Sequence, residues 1–254
     1  MTHAYRLVCN RAVKHKDSTA KQKILKSAFE EMHLHGFQAA SIANILVETG
    51  LTKGALYHHF PTKQALGLAV LEEIIRPRFE AGLFQKLRQE GEPVAVLINA
   101  LKGWAHDADP EFIYRGCPLG NLIVEMSPID RAFREKLSAL LSGFEEAVEQ
   151  ALIRARGAKA VRSSVDCRAV ASFIVSAWQG AAGISKAVRS RQPMLSCIDQ
   201  IETYLLSLRP AVGENLLPTV LEIKAVVVSP VIVESNTSDI PPAPRYAPVR
   251  MDED

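Results

Sequence analysis

The chain has 254 residues, of which 48% are hydrophobic and 23% charged, and its formal net charge is +2. It is long enough for a sizeable core in more than one structural unit. Its four cysteines form no CxxC pair and no histidine stands at metal-ligand spacing, which excludes a disulfide framework and a zinc site. No apolar run approaches the roughly 20 residues that span a membrane, and residues 1–17 lack a signal-peptide pattern. We therefore expect a cytoplasmic protein without metal or cofactor.

The charge is distributed unevenly along the chain. Residues 1–66 hold nine Lys or Arg against four Asp or Glu, a net charge of +5, so the remainder carries −3. Six of the seven histidines also lie in this first segment. A basic N-terminal unit on a mildly acidic body indicates that the first part binds a polyanion. A solvated basic face would produce the same asymmetry.

The first part of the chain is predicted to be an arm followed by short helices. Residues 1–17 are basic and lack sustained hydrophobic periodicity, so we predict a flexible arm. N-cap residues begin four predicted helices, at Ser18 or Thr19, Ser41, Thr52 and Thr62. Gly36 and Gly50 end the first two. Arg76–Pro77 is expected to kink or end the fourth, because proline removes an intrahelical hydrogen bond.

Residues 67–209 are predicted to form a second helical domain. Start signals precede its helices at Pro93, Gly116–Pro118, Ser127–Asp130, Ser163–Asp166 and about Met194. In Ser127–Asp130 the serine is the expected cap, Pro128 the first helical residue and Asp130 the acid of the first turn. Small residues crowd the penultimate helix between Ala169 and Gly183, which makes that helix too apolar all round to face water. A buried central helix would explain this pattern, and so would a subunit interface, which we favour.

The last segment, residues 210–254, differs in kind. It holds half of the chain's 14 prolines and ends in an acidic tetrapeptide. We predict a mostly disordered tail. The Val- and Ile-rich stretch from Val220 to Val233 leaves open a short strand that docks on the body or on a partner.

Residues 41–66 carry the strongest functional signal. Two short helices joined by a tight turn at Gly50 match the plan of a helix-turn-helix, whose second helix enters the major groove of DNA. The outward positions of that second helix are donor-rich: Lys53, Gly54, Tyr57, His58 and His59. Lys53 can donate to a guanine edge or to phosphate, and the Tyr and His side chains to phosphate. Phe60 is expected to pack inward. His59 could pack inward or face the DNA.

The start of the fourth helix extends this surface. Thr52 and Thr62 each place a hydroxyl and free backbone N–H groups at a helix N-terminus, which favours anions. Lys63 adds a charge beside the second of these. The sequence therefore predicts one continuous DNA-binding surface from the third helix to the start of the fourth.

The run TKGALYHHFPTK at residues 52–63, with Phe37, Ser41, Ile42, Ile45 and Gly50 upstream, resembles the signature of the TetR family of bacterial regulators. The resemblance covers residues 18–66, and the helical body to about residue 208 agrees in length. It implies a homodimer on a palindromic operator of double-stranded DNA and a small-molecule effector that lowers DNA affinity. It also implies the residues at the DNA surface: Ser41, Thr52, Lys53, Ala55, Tyr57, His58, His59 and Lys63. The arm before Ser18 and the tail after residue 209 depart from the family pattern.

A ligand pocket in the body would be mostly apolar with a few polar anchors. Nine residues are candidates by type and position: Trp104, His106, Phe112, Tyr114, Cys117, Asn121, Met126, Trp178 and Gln179. The run Arg115–Asn121 resembles one branch of the family, some members of which respond to reactive electrophiles or small organic compounds. Cys117 lies beside a helix start and near Arg115, which would favour a reactive thiol. A small buried side chain is the simpler interpretation.

Two other classes of function compete with a regulator. The His and Tyr cluster could in principle perform acid–base catalysis, but no nucleophile–base pair, phosphate loop or metal spacing accompanies it, so we expect no enzyme. A protein-interaction adaptor that does not use its helix-turn-helix is the second alternative. We predict an all-α protein, with an N-terminal helix-turn-helix domain and a helical ligand-binding and dimerisation domain.

Overall fold

The computed structural model describes the backbone of residues 3–106 and 110–210, and the side chains of residues 19–103, 105 and 113–210. Every regular element in these residues is a helix, which confirms the predicted all-α class. The first helices are α1 (His3–His35), α2 (Ile42–Thr49) and α3 (Lys53–His59). A helical rod follows, with α4 (Lys63–Val70), α5 (Arg76–Phe79) and α6 (Gln85–Leu87). The body holds α7 (Pro93–His106), α8 (Pro110–Arg115), α9 (Pro118–Met126), α10 (Arg131–Gly157), α11 (Cys167–Val188) and α12 (Gln192–Ser207).

Three predicted N-caps are confirmed. The hydroxyl of Ser41 accepts the Asn44 N–H at 3.3 Å. In the same way the Thr52 hydroxyl accepts from Ala55 at 3.2 Å and the Thr62 hydroxyl from Ala65 at 3.0 Å. Each bond satisfies a donor that a helix start leaves free, which explains why the short helices α2, α3 and α4 begin at these residues.

The predicted start of the first helix is wrong where the backbone is described. Helix α1 begins at His3, not at Ser18 or Thr19, so residues 3–17 are helical. No proline or glycine occurs before Gly36, and a Ser–Thr pair inside a run of Ala, Leu, Lys and Arg does not stop a helix. The predicted tail and the strand proposed within it lie outside the described residues.

The rod passes Pro77 without ending. Wide π-helical turns at Leu71–Ile75 and Glu80–Phe84 flank the α-helical turn that contains the proline. A π turn moves a carbonyl away from the proline ring and lets the helix continue past the residue that has no N–H to donate. Ile75, Phe79 and Leu83 are at most 2% exposed, so core packing keeps the rod intact where local sequence alone favours a break.

One helix start and one additional helix in the body differ from the prediction. Ser127 ends α9, and Asp130 caps α10 by accepting the Phe133 N–H at 3.0 Å. The start signal was therefore displaced by three residues, because an aspartate at the N-cap competes with the Ser–Pro pair before it. Helix α8 was not predicted, and its six residues are too few for a clear hydrophobic period.

The N-terminal domain shares its core with the body. Phe37, which follows α1, packs its ring 4.8 Å from that of Phe133 on α10. Both rings lie over Gly67 on α4, where a Cβ atom would come within 2.4 Å of Phe37 and 2.7 Å of Phe133. Only glycine therefore lets α4 approach the two rings. This contact joins the segment before the helix-turn-helix to the body.

Helix α11 has two apolar faces. One is buried against α10 and α12 and includes Ile174 and Trp178. The other is exposed and carries Phe173 and Ile184, while Tyr204 on α12 lies beside Phe173 with ring centroids 5.3 Å apart. The helix is therefore central in the chain, as one interpretation of its small residues predicted. The subunit interface, the other interpretation, stays a prediction.

None of the helices in the part of the chain that the structure describes combines the length and apolarity needed to cross a bilayer.

Candidate nucleic-acid interface and body cavity

The turn between α2 and α3 depends on Gly50. This residue has φ +65° and its N–H bonds to the Leu46 carbonyl at 2.9 Å, which closes α2 in a left-handed turn. Ile45 and Leu56 point inward from the two helices and are at most 1% exposed. Phe60 is 4% exposed, which confirms that it packs inward. The two helices are thus fixed by buried residues, and the remaining face of α3 is available.

None of the residues predicted to contact DNA is buried. Thr52, Lys53, Gly54 and His58 are exposed. Ser41, Ala55, Tyr57 and His59 are half-buried, and Tyr57 packs partly against the core. The rings of His58 and His59 lie 5.3 Å apart. The surface is rich in hydrogen-bond donors, as phosphate contact requires. That these side chains contact DNA stays a prediction.

Lys63, predicted as a charge beside the start of α4, also makes contacts within the protein. Its Nζ donates to the Gln38 carbonyl at 2.9 Å and lies 5.4 Å from the centre of the Phe37 ring. Burial is the main cause that lowers the pKa of this ammonium group. Lys63 therefore ties the start of α4 to the segment that precedes α2, and any phosphate contact has to compete with that role.

Glu31 on α1 fixes the start of α2. Its Oε1 accepts the Ser41 N–H and an Asn44 Nδ2 hydrogen, both at 3.0 Å. Further bonds link the N-terminal helices to the rod and the body: Lys21 to Glu73 and Arg115 to Glu30, each at 2.7 Å. The helix-turn-helix is therefore held by polar contacts to several helices as well as by its core.

The body contains a cavity of about 710 Å³ that opens to the surface beside Leu34 and Val124, which are 56% and 80% exposed. The end of α1 and helices α9, α10 and α11 form its walls. Five large apolar residues line it: Leu34, Ile123, Val124, Leu141 and Val175. The polar residues in its walls are His33, His35, Cys117, Asn121, Glu125, Glu145, Ser176, Gln179 and Lys186. This mixture and size suit a drug-sized amphipathic molecule.

The nine predicted pocket residues do not all meet at this cavity. Cys117, Asn121 and Gln179 line it. Tyr114 is 57% exposed and is not in its lining, and Trp178 and Met126 are core residues. The side chains of Trp104, His106 and Phe112 lie outside the described residues. The roles of all nine in ligand binding stay predictions.

Sequence reasoning missed several cavity residues, among them His33, Glu125, Glu145 and Lys186. A signal for two of them was present. Glu125 follows Asn121 by four residues, and Lys186 follows Gln179 by seven, so each shares a helix face with a predicted candidate. His33 offered no such signal, because α1 belongs to the N-terminal domain and only the tertiary fold brings its end to the body.

Two polar side chains in the cavity wall have defined states. The His33 Nε2–H donates to the Gly116 carbonyl at 2.7 Å, and burial lowers the pKa of this imidazole, which favours its neutral form. Both polar atoms of the Gln179 amide are buried. Apart from the nearby Cys117 thiol, no group among the described residues bonds to this amide. A buried amide without full partners is an available anchor for a ligand.

Cys117 is buried, at 4% exposed. Burial raises the pKa of its thiol more than the backbone N–H groups of Gly120 and Leu119 lower it. We therefore expect Cys117 to react with iodoacetamide at pH 7 much more slowly than the half-buried Cys197, because the thiolate is scarce and access is blocked. Peptide mass spectrometry of the native chain measures both rates. Faster labelling of Cys117 would contradict the buried, unreactive interpretation.

Among the residues that the structure describes, no group of three or more His, Cys, Asp or Glu is placed to hold a metal ion.

Comparison with known families gives two matches. Residues 24–70 match the profile described as bacterial regulatory proteins of the tetR family. Residues 93–201 match the profile of the tetracyclin repressor-like C-terminal domain. Together they cover more than half of the chain, including the helix-turn-helix and the parts of the four helices that line the cavity.

Individual proteins agree with these matches. The chain is 33% identical over 132 residues to an uncharacterised HTH-type transcriptional regulator of Lactococcus lactis subsp. lactis, covering 52% of this chain and 67% of the relative. It is 25% identical over 206 residues to the HTH-type transcriptional repressor DhaR of a Mycobacterium species, covering 78% and 93%. A TetR-family regulator from Cytophaga hutchinsonii has the same fold, with a TM-score of 0.70 at 21% identity over 78% of this chain and 98% of its own.

The helix-turn-helix with its donor-rich outer face, the helical body and both family matches agree. This chain belongs to the TetR family and is a DNA-binding transcriptional regulator.

Proposed function

We propose that the chain is a repressor that binds a palindromic operator as a homodimer and leaves it when a small molecule occupies the body. One observation carries this proposal: the same compact unit holds a donor-rich α3 surface and a 710 Å³ amphipathic cavity in contact with the end of α1. The relative DhaR is named a repressor, which supports repression as opposed to activation. A regulator of chromosomal DNA would act in the cytoplasm.

The exposed apolar face of α11 and α12 supports the homodimer. Phe173 is 51% exposed, Ile184 56% and Tyr204 37%. Aromatic and branched side chains grouped on one face mark a protein–protein interface. A twofold axis through this face would pair the two α3 helices with two half-sites about 34–36 Å apart on DNA.

We expect Ile184→Arg to convert the dimer to monomers, because a buried guanidinium without a partner costs several kcal/mol at an interface. Sedimentation velocity at micromolar concentration measures the change. The control is Ile129→Arg, which places the same residue at a position 45% exposed in the turn before α10. If Ile184→Arg remained a dimer, α11 would not be part of the interface.

The proposal is tested on DNA. Footprinting the region upstream of the gene that encodes the chain should reveal two protected half-sites related by a dyad. A ligand that releases the repressor must bind the free state more tightly than the DNA-bound state. Operator affinity measured with and without a saturating effector therefore has to differ. No protected site, or the same affinity in both conditions, would refute the proposed function.

A further inference from the structure

Glu125 on α9 holds the segment that leads into the helix-turn-helix. Its two carboxylate oxygens accept the backbone N–H groups of Phe37 and Gln38, at 2.9 and 2.8 Å. Hydrogen bonds to a charged acceptor are stronger than neutral ones. One side chain of the body thus fixes two consecutive backbone groups between α1 and α2.

The same carboxylate is part of the cavity wall, together with Gly36 and His33. Gly36 has φ +84°, and a Cβ atom there would lie 3.1 Å from both oxygens of Glu125. A side chain at residue 36 would be strained and would also displace the carboxylate. Glycine at this position therefore leaves Glu125 in contact with the cavity on one side and with Phe37 and Gln38 on the other.

Gln38 is held from both directions. Its N–H bonds to Glu125, and its carbonyl accepts from Lys63 at the start of α4. Three residues later Ser41 caps α2. A change in the Glu125 contact therefore acts on a short connection between the cavity, the start of α4 and the first helix of the DNA-binding pair.

The charges around the cavity select the kind of molecule that can reach Glu125. Two carboxylates, Glu125 and Glu145, line it. Its one lysine, Lys186, already donates to Asn121 Oδ1 at 3.3 Å. An anionic head group would face two like charges, whereas a cationic or other donor group would find acceptors. The apolar residues of α9 and α11 would bind an aliphatic or aromatic body.

We propose that the cavity binds amphipathic molecules that carry a hydrogen-bond donor, such as a protonated amine, and that this donor takes the Glu125 carboxylate away from the Phe37 and Gln38 N–H groups. The inference rests on the proposed function, for which it supplies the ligand class and the coupling residue. Glu125 is a positioning residue, since it acts on DNA through residues 37 and 38. Loss of both bonds frees the connection to α2 and shifts the population away from the DNA-binding state.

Hydrogen-exchange mass spectrometry on the full chain tests the coupling without DNA. In Glu125→Gln a side-chain NH₂ replaces one of the two acceptor oxygens. It then faces the backbone N–H of Phe37 or Gln38, and because two donors cannot bond to each other, at least one hydrogen bond is lost. We expect exchange in the peptide that contains Phe37 and Gln38 to accelerate by about tenfold or more. Glu135→Gln is the matched control, because among the described residues that carboxylate pairs with Arg131 alone, four residues earlier in α10. Unchanged exchange in Glu125→Gln would overturn the inference.

The ligand class is tested with two probes of the same length, octylamine and octanoate. Octylamine, titrated up to its solubility limit, should accelerate exchange at Phe37 and Gln38 in the unmodified chain and have no further effect in Glu125→Gln. Octanoate should leave these amides unchanged. An equal effect of both probes, or none from octylamine, would overturn the proposed ligand class.

These outcomes separate the inference from the proposed function. If the chain fails to protect any operator but the exchange results are as expected, only the repressor proposal fails. If an operator is bound and released by an effector while Glu125→Gln exchanges like the unmodified chain, only the Glu125 coupling fails.

Discussion

Replacing Lys53 with alanine is expected to weaken operator binding by about ten- to a hundredfold, the range of a lost specific base contact. Lys53 is exposed at the first position of α3, directly after the Thr52 cap. In a helix-turn-helix the N-terminal residues of the second helix reach the base edges. Fluorescence anisotropy with a labelled operator duplex measures the loss.

The control for Lys53→Ala is Arg131→Ala, which removes one positive charge from the body at a side chain that is 83% exposed. Equal losses in the two variants would show that only overall charge matters and would refute a contact by Lys53. The salt dependence of the affinity distinguishes the two contacts that Lys53 can make. If Lys53 contacts phosphate, its removal reduces the magnitude of the slope of log K against log salt by about one. If Lys53 contacts guanine, its removal relaxes the sequence preference.

Gly67→Ala is expected to destabilise the chain by about 2 kcal/mol, although alanine is the better helix former. The added Cβ would lie 2.4 Å from the Phe37 ring and 2.7 Å from the Phe133 ring. Both rings belong to the buried core, so neither can move without opening the packing between the two domains. Urea unfolding followed by circular dichroism measures the difference in free energy.

Gly143→Ala provides the matched control, since it makes the same change inside α10. There the nearest other side-chain atom, Phe84 Cε2, would lie 3.9 Å from the new methyl group, an ordinary contact. We expect no loss of stability, or a gain of up to about 1 kcal/mol, because alanine restricts the unfolded chain. If Gly67→Ala behaved like this control, the close approach of α4 to the two rings would not be a requirement of the fold.

Local signals in the sequence were sufficient to predict the DNA-binding part. Ser41, Thr52 and Thr62 cap helices in the structure as their types and spacing indicated. Gly50 adopts the left-handed turn, and Phe60 is buried. Caps, turns and hydrophobic periods act over a few residues, so a single chain displays them without knowledge of distant contacts.

One error occurred where distant residues outweigh local preference, and two occurred where one local signal outweighed another. Pro77 predicted a kink or an end of the helix, and the helix does not end there: Ile75 and Phe79 on either side are buried, and π turns flank the proline. Asp130 displaced Ser127 as the cap of α10. The helical residues 3–17 lacked a hydrophobic period, and the absence of any breaker was the better guide.

The sequence by itself determined the helix-turn-helix at residues 41–66, its donor-rich face and the helical body, because short-range patterns encode each of them. Only the tertiary structure decided the composition of the cavity, where His33 from the first helix meets Gln179 from the penultimate one. It alone showed that Glu125 reaches Phe37 and Gln38, 88 and 87 residues earlier in the chain. Such contacts depend on how whole helices pack, and no spacing of residues in one chain specifies that packing.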